Sequence, residues 1–130
     1  MSVIDVAAGI IISNSSVLLC RRGKGEKLEG FWEFPGGKKE QNESIYTCLE
    51  RELREELGVI ISATSIFKES LYEYEGGAIN LIGLQAQILS GDITLTVHDK
   101  YVWVPIEQVL EYRLAPADIP IAETIIKEFS

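Results

Sequence analysis

Residues 37–59 read GKKEQNESIYTCLERELREELGV, and this stretch decides how the chain folds. Apolar side chains recur along it at helical spacing, and they are Ile45, Cys48, Leu49, Leu53 and Leu57. Ser44 is suited to cap the start of a helix, and Gly58 is suited to end it in a left-handed conformation. The sequence therefore predicts an amphipathic helix over residues 44–57 that packs by its apolar face.

Stretches of apolar and β-branched residues on both sides of this helix predict strands. They are residues 3–13, 16–21, 31–34, 60–74, 78–89 and 101–104. Asn14-Ser15 separates the first two stretches, which predicts a β-hairpin. Glycine pairs at residues 36–37 and 76–77 predict further tight turns.

The end of the chain predicts a second helix over residues 118–129. Its apolar residues at helical spacing are Ile121, Ile125, Ile126 and Phe129. Asp118 is available as N-cap, Pro120 suits the first turn, and residues 105–112 predict a short helix before it. The order of strands and helices predicts one α/β (α+β) domain over residues 1–130, with a mixed β-sheet sandwiched between α-helices.

The composition limits the class of partner. The net charge of −8 and the lack of a Lys/Arg run argue against a nucleic-acid polymer, which requires a basic surface. No stretch approaches the roughly 20 apolar residues of a membrane helix, so we expect a cytoplasmic protein without membrane contact. Cys20 and Cys48 have no metal-ligand spacing and are expected to be small buried side chains. The sequence leaves monomer and homodimer open.

Three glutamates of the predicted helix carry the chemical argument. Glu52, Glu55 and Glu56 lie three and four residues apart, so their carboxylates share one face and can converge on one ion. Glu52 and Glu56 also fall beside Leu49, where two carboxylates repel each other and lose hydration unless a cation compensates them. Mg²⁺ is a hard ion that prefers oxygen ligands and suits a site shared with substrate phosphates.

A solvated helix face with paired charges is the alternative interpretation. Arg51 and Glu55 have the i,i+4 spacing of an ion pair. Glu50 and Arg54 also suit a solvated face. This interpretation fails for the two glutamates on the apolar side, which is why the sequence predicts a metal site.

The same segment resembles the Nudix box, Gly-x5-Glu-x7-Arg-Glu-apolar-x-Glu-Glu-x-Gly-apolar. Every fixed position is matched, by Gly37, Glu43, Arg51, Glu52, Leu53, Glu55, Glu56, Gly58 and Val59. The resemblance implies that the box binds Mg²⁺, or Mn²⁺ in its place. The ligands would be the carboxylates of Glu52, Glu55 and Glu56 and the backbone carbonyl of Gly36.

The resemblance also implies roles in the reaction. Glu43 and Arg51 would brace the loop against the helix as an ion pair, a role that is either structural or catalytic. Water bound to the ion would attack phosphorus while the ion neutralises charge on the phosphate oxygens. Glu52 is the candidate to orient or deprotonate that water.

Outside the box, the chain resembles MutT-like nucleoside triphosphate pyrophosphohydrolases. The resemblance lies in AAGIII at residues 7–12, the pair Arg21-Arg22, WEFPGG at residues 32–37 and LAPADIP at residues 114–120. The last segment is similar to the CTP pyrophosphohydrolase subgroup, whose members act on CTP and on modified deoxynucleotides.

This resemblance implies two substrate contacts, with Arg22 on phosphate and Asp118 facing the base. The structural alternatives are a solvated strand end for Arg22 and a helix N-cap for Asp118. MutT carries asparagine at the position that matches Asp118. A carboxylate only accepts hydrogen bonds, which suits the exocyclic amine of cytosine without excluding guanine.

The chain departs from the MutT-like pattern just before the strand that contains Trp103. A glutamate is common there, whereas residues 96–103 read TVHDKYVW. Asp99 is the nearest acid, and His98 is expected to be a satisfied loop or strand histidine rather than a ligand. A general base from this loop is therefore in doubt.

We expect an enzyme that converts a nucleoside triphosphate to monophosphate and pyrophosphate. The substrate would be CTP, a modified pyrimidine deoxynucleotide or an oxidised purine deoxynucleotide, with a role in sanitation of the nucleotide pool. One alternative is a Nudix hydrolase of another small nucleotide, such as ADP-ribose or a dinucleoside polyphosphate. The other is a non-catalytic nucleotide-binding domain, although such domains usually lose box glutamates and none is missing here.

Overall fold

Helix α1 spans Ile45–Leu57 in the computed structural model, which describes residues 2–130. The side-chain oxygen of Ser44 accepts a hydrogen bond from the amide of Thr47 at 3.0 Å, and Gly58 ends the helix at φ 68°. The buried side chains of α1 are Cys48, Leu49, Leu53 and Leu57. The predicted helix, its caps and its apolar face are confirmed.

Seven strands and a second helix complete the described part of the chain. They are β1 (Val3–Ser13), β2 (Ser16–Arg22), β3 (Trp32–Glu33), β4 (Gly36–Lys38), β5 (Ile60–Tyr74), β6 (Gly77–Ser90), β7 (His98–Pro105) and α2 (Ile119–Phe129). The predicted strands are present, but β7 begins three residues earlier than expected because its pairing with β2 continues to His98. The tight turn predicted at residues 36–37 is wrong, because both glycines pair with β1 as part of β4. The short helix predicted over residues 105–112 is a 3₁₀ segment, Ile106–Glu111, and a second 3₁₀ turn covers Pro116–Asp118.

Strand β1 is the centre of the sheet. It pairs in parallel with β6 over residues 3–11 and antiparallel with β4. It meets β2 at residues 12–13, beside a turn in which Asn14 and Ser15 have φ values of 51° and 61°. The predicted hairpin is therefore correct at its turn, while most of β1 pairs elsewhere. A strand that is apolar on both faces suits parallel pairing in a sheet covered on both sides.

Two hydrophobic clusters lie on opposite faces of the sheet. Ala8 and Ile10 of β1 belong to the cluster that includes Ile121 of α2. Ala7 and Ile11 point the other way, into the cluster that includes the buried face of α1. The predicted sandwich of helices around a mixed sheet is confirmed.

The sheet order positions the polar residues of the chain. The path is β3-β2-β1-β6-β5, with β4 added to β1 and β7 added to β2. The end of β2, the strand β3 and the start of β7 therefore lie together, next to the turn that leads into β4 and α1.

Cys20 and Cys48 are buried and unbridged, as expected for small core side chains. Between residues 2 and 130, neither helix is long and apolar enough to span a bilayer.

Candidate active site

A cavity of about 580 Å³ lies where these strand ends meet. Its charged and histidine lining residues are Arg22, Glu26, Lys27, Glu33, Lys38, Glu56, His98 and Asp118. Its apolar wall includes Phe34, Tyr72, Tyr74, Ile79 and Leu81. A volume of this size accommodates a small organic ligand with a few charged groups.

Arg51 lies at the centre of the box charges. Its guanidinium donates to both oxygens of Glu43, at 3.0 and 2.9 Å, and to the carbonyl of Lys38 at 3.3 Å. The same guanidinium donates to Glu52 at 3.0 Å and to Glu55 at 3.1 Å. The predicted ion pair between Glu43 and Arg51 is thus formed. The predicted i,i+4 pair between Arg51 and Glu55 is formed as well. The ion pair with Arg51, together with the Glu40 amide, lowers the pKa of Glu43 to about 2.

Glu52 packs against strand β4, which precedes the helix. A Cβ on residue 37 would overlap the carboxylate of Glu52, so glycine is required for this close approach. Glycine is required at residue 36 for a different reason, because a Cβ there would overlap the backbone carbonyl of Ala7. Burial raises the pKa of Glu52, while its contact with Arg51 opposes that rise. The two glycines therefore allow β4 to lie between β1 and the acidic face of α1.

Glu56 lines the cavity and has an unsatisfied oxygen. Its Oε1 is buried and has no hydrogen-bond partner among the described residues. Burial raises the pKa of Glu56 to about 7, with Glu52 and Glu33 adding to the rise and His98 opposing it. A buried carboxylate oxygen without a partner is costly unless a cation or donor meets it.

The three box glutamates do not already form a closed metal cage. Within residues 2–130, no group of three acidic, histidine or cysteine side chains is gathered around one point. The reason is that Arg51 holds Glu52 and Glu55, and the side chain of Glu55 is 58% exposed. The donor set still fits a hard divalent cation, because all three are carboxylates on adjacent helical turns and one buried oxygen lacks a partner. Their role as ligands, with the carbonyl of Gly36, stays a prediction.

Glu50 differs from the expectation of a solvated residue. It is partly buried, and its carboxylate accepts a hydrogen bond from the amide of Ala63 at 3.2 Å. The β5 strand has an irregular register between Ala63 and Ser65, which leaves that amide for a side-chain partner.

Arg22 lines the cavity instead of forming a solvated strand end. The β2–β7 register shifts between Arg21 and Arg22, and such a bulge re-aims a side chain. Arg22 pairs with Glu33 at 2.7 Å and also donates to the carbonyl of Lys27 at 3.2 Å. Arg21 turns away from the cavity and pairs with Asp99 at 2.8 Å. A phosphate contact for Arg22 remains a prediction.

Glu33 and His98 were not expected as site residues. A carboxylate oxygen of Glu33 lies 2.9 Å from Nε2 of His98, and the His98 side chain is 2% exposed. The expectation of a satisfied histidine is half correct, because Nδ1 is buried without a partner in the described chain. The signal in the sequence was an acid within the apolar run at residues 31–34. Asp99, bound to Arg21, does not line the cavity that the described residues form.

Asp118 corrects two expectations. It does not cap α2, because its backbone is already helical, at φ −82° and ψ −19°, and its carboxylate instead accepts from the amide of Phe34 at 3.0 Å. It is 4% exposed, and burial raises its pKa well above the ordinary aspartate value. A protonated carboxyl group both donates and accepts hydrogen bonds. The expectation that Asp118 only accepts them therefore holds for its ionised form alone. In its neutral form Asp118 both donates and accepts, as an asparagine does, but with one donor hydrogen instead of two.

We expect Asp118→Asn to stabilise the protein at pH 8 by about 1–2 kcal/mol, because burial opposes the ionised form that the aspartate takes in the unfolded chain, while an acceptor for Phe34 remains. A raised pKa means that the folded state binds the proton more tightly. The stabilisation that this proton gives the wild type is complete below the pKa that Asp118 has in the unfolded chain. It is lost as pH rises toward the pKa that Asp118 has in the folded protein. Urea unfolding of both proteins at pH 5 and pH 8 measures the effect. An equal gain at both pH values would contradict ionisation of Asp118 as its cause.

The chain is similar to known proteins along most of its length. A family model described as NUDIX domain matches residues 3–125. The chain is 37% identical over 126 residues to CTP pyrophosphohydrolase of Escherichia coli (strain K12), covering 97% of this chain and 93% of that protein. It is 34% identical over 79 residues to 8-oxo-dGTP diphosphatase of Proteus vulgaris, covering 60% and 70%. The solution structure of the E. coli ORF135 protein matches with a TM-score of 0.86 and 36% identity, covering 98% and 91%.

Proposed function

The chain belongs to the Nudix family, and from that membership we propose that it hydrolyses nucleoside triphosphates to monophosphate and pyrophosphate. One observation carries the proposal: Glu56, whose buried Oε1 has no partner among residues 2–130, lines the cavity together with Arg22. A carboxylate site for a cation and an arginine for phosphate are the two groups that diphosphate cleavage requires. The names of two relatives, a CTP pyrophosphohydrolase and an 8-oxo-dGTP diphosphatase, support the same reaction.

Mg²⁺ is the proposed cofactor, with Mn²⁺ as its substitute. Nudix hydrolases generally use a divalent metal. Glu52, Glu55, Glu56 and the carbonyl of Gly36 would hold the ion, since hard oxygen donors suit it. When bound, it supplies a more acidic water and neutralises charge on the phosphate oxygens.

The side chains have separable tasks in this reaction. Glu52, held by Arg51 and by contact with Gly37, accepts the proton of the attacking water. The water oxygen bonds to phosphorus, the anhydride bond between the first and second phosphates breaks, and its bridging oxygen leaves with pyrophosphate. Arg22 donates hydrogen bonds to the phosphate chain. Glu43 keeps Arg51 in place and touches no reacting atom.

The base lies in the apolar part of the cavity in this proposal. Phe34, Tyr72 and Leu81 supply apolar walls, and Asp118 supplies one polar group at the surface of that pocket. Burial raises the pKa of Asp118, and a protonated Asp118 would both donate and accept, which suits either a cytosine edge or an oxidised guanine edge. We therefore propose a small nucleotide as the partner, in the cytoplasm, with the chain acting as one catalytic domain.

A substrate panel tests the proposal. The values of kcat/KM for CTP, 5-methyl-dCTP, dCTP, 8-oxo-dGTP and ADP-ribose are measured with Mg²⁺. We expect the best triphosphate to exceed ADP-ribose by at least about tenfold, because Arg22 and the proposed cation at the box carboxylates would both bind the phosphate chain. A preference for ADP-ribose would contradict the proposal. Nucleotide binding without turnover of any of the five would favour a non-catalytic domain.

A further inference from the structure

Glu33 joins three strand ends behind the polar wall of the cavity. It lies on β3, opposite Cys20 of β2. One of its oxygens accepts from Arg22 at the end of β2, and the other lies 2.9 Å from Nε2 of His98 at the start of β7. Arg22 and His98 are themselves paired across β2 and β7. A single carboxylate therefore connects the two cavity-lining residues that flank it.

We propose that Glu33 is a positioning residue, which aims the Arg22 guanidinium at substrate phosphate and fixes the orientation and tautomer of His98. The role of Glu33 toward Arg22 and phosphate rests on the proposed function. Its role toward His98 does not, because it concerns contacts within the protein alone.

The contacts of Arg22 leave two of its N–H donors for a ligand. Nε and Nη2 both meet Glu33 Oε1, at 2.9 and 2.7 Å, and Nη1 donates to the carbonyl of Lys27 at 3.2 Å. These contacts use three of the five N–H donors. The other two, one on each terminal nitrogen, keep no protein acceptor among residues 2–130. Charged N–H donors of this kind bind phosphate oxygens.

The contact with Glu33 also decides the tautomer of His98. A carboxylate that accepts from Arg22 has no hydrogen to give, so Nε2 of His98 must carry one and donate it. Nδ1 is buried without a partner among the described residues, so no contact there competes with the one at Nε2. The His98 side chain is 2% exposed, so the ring is shielded from solvent.

If its negative charge were all that mattered, Glu33 would weaken substrate binding instead of supporting it. A carboxylate next to a phosphate-binding arginine weakens the attraction for an anion. Neutralising it without changing its shape should therefore tighten substrate binding if charge were its main contribution. If positioning is its main contribution, the same change should weaken binding. The sign of the change in KM separates the two.

Glu33→Gln is the test, assayed with the best triphosphate of the panel. We expect KM to rise by about 5- to 10-fold, because a neutral amide oxygen holds the Arg22 guanidinium more weakly than a carboxylate does. In an Arg22→Ala background, the same change should alter KM by less than about twofold, since Glu33 acts through Arg22. Asp99→Asn, which breaks the neighbouring Arg21–Asp99 pair on the other side, is the matched control and should leave KM unchanged.

Nitrogen NMR provides a measurement that does not depend on turnover. His98 is the single histidine of the chain, so its ring signals need no assignment. We expect the Nε2–H tautomer in the wild type and a shift toward Nδ1–H in Glu33→Gln, because the amide NH₂ then donates to Nε2. A fall in KM, an equal rise in the Arg22→Ala background, or an unchanged tautomer would overturn the proposal. If the wild type cleaves no triphosphate, the proposed function fails and the tautomer measurement alone decides the role of Glu33.

Discussion

Glu56→Gln is expected to lower kcat by on the order of 10³-fold and to stabilise the metal-free protein by about 1–2 kcal/mol at pH 8. The loss of activity follows because an amide replaces the carboxylate that lines the cavity and is proposed to hold the ion. The gain in stability follows because Oε1 is buried without a partner, so the ionised form is costly in the metal-free fold.

The pH dependence of this stability change has a definite sign. The pKa of Glu56 is raised to about 7 by burial, so the folded state binds the proton more tightly than the unfolded state does. This stabilisation is complete below about pH 4 and is lost as pH rises through about 7. The gain from glutamine should therefore be small at pH 5 and largest at pH 8.

Urea unfolding in EDTA and steady-state kinetics with Mg²⁺ check the two halves of this prediction. Glu50→Gln is the matched control, because it makes the same change on the same helix. Glutamine at residue 50 can still accept from the amide of Ala63. The control should keep kcat within about twofold. A Glu56→Gln protein that retains wild-type kcat would contradict the metal-site account.

Gly36→Ala is expected mainly to lower stability, whereas Gly37→Ala is expected mainly to lower kcat. A Cβ at residue 36 meets the backbone of β1, which cannot move without losing the β1–β4 pairing, so we expect a loss of stability of about 3 kcal/mol or more. A Cβ at residue 37 meets the Glu52 carboxylate, whose side chain can turn aside. The second change should cost about 1 kcal/mol and lower kcat by about 10²-fold, because Glu52 is displaced.

Thermal unfolding and kcat of the two variants separate these effects, and each variant serves as the control for the other. The account requires the larger fall in Tm for Gly36→Ala. It also requires that Gly37→Ala, assayed where it is fully folded, loses activity. A folded Gly37→Ala protein with full activity would show that the position of Glu52 does not matter for turnover.

Local patterns predicted the parts of the fold that depend on neighbours in sequence. The helix α1 was predictable because its caps, Ser44 and Gly58, and its apolar spacing are all local. The brace between Glu43 and Arg51 was predictable from the family pattern that the segment matches. The helix and the ion pair both lie within residues 37–59, so neither depends on a distant part of the chain.

The parts that could not be predicted depend on distant pairings. The parallel partner of β1 is β6, which is separated from it by α1 and β5, and no local signal selects that partner. Glu33 and His98 are 65 residues apart, and their contact exists because both β3 and β7 pair with β2. Asp118 has the composition of an N-cap, but tertiary packing buries it against the amide of Phe34. That burial is what raises the pKa of Asp118, and the sequence around residue 118 does not show it.

Product analysis tests the central claim most directly. The protein is freed of metal with EDTA, returned to buffer with and without Mg²⁺, and incubated with CTP, and the nucleotide and phosphate products are quantified. We expect CMP and pyrophosphate in equal amounts with Mg²⁺ and neither without it. Release of CDP and inorganic phosphate, or equal turnover in EDTA, would contradict cleavage at a cation held by Glu52, Glu55 and Glu56.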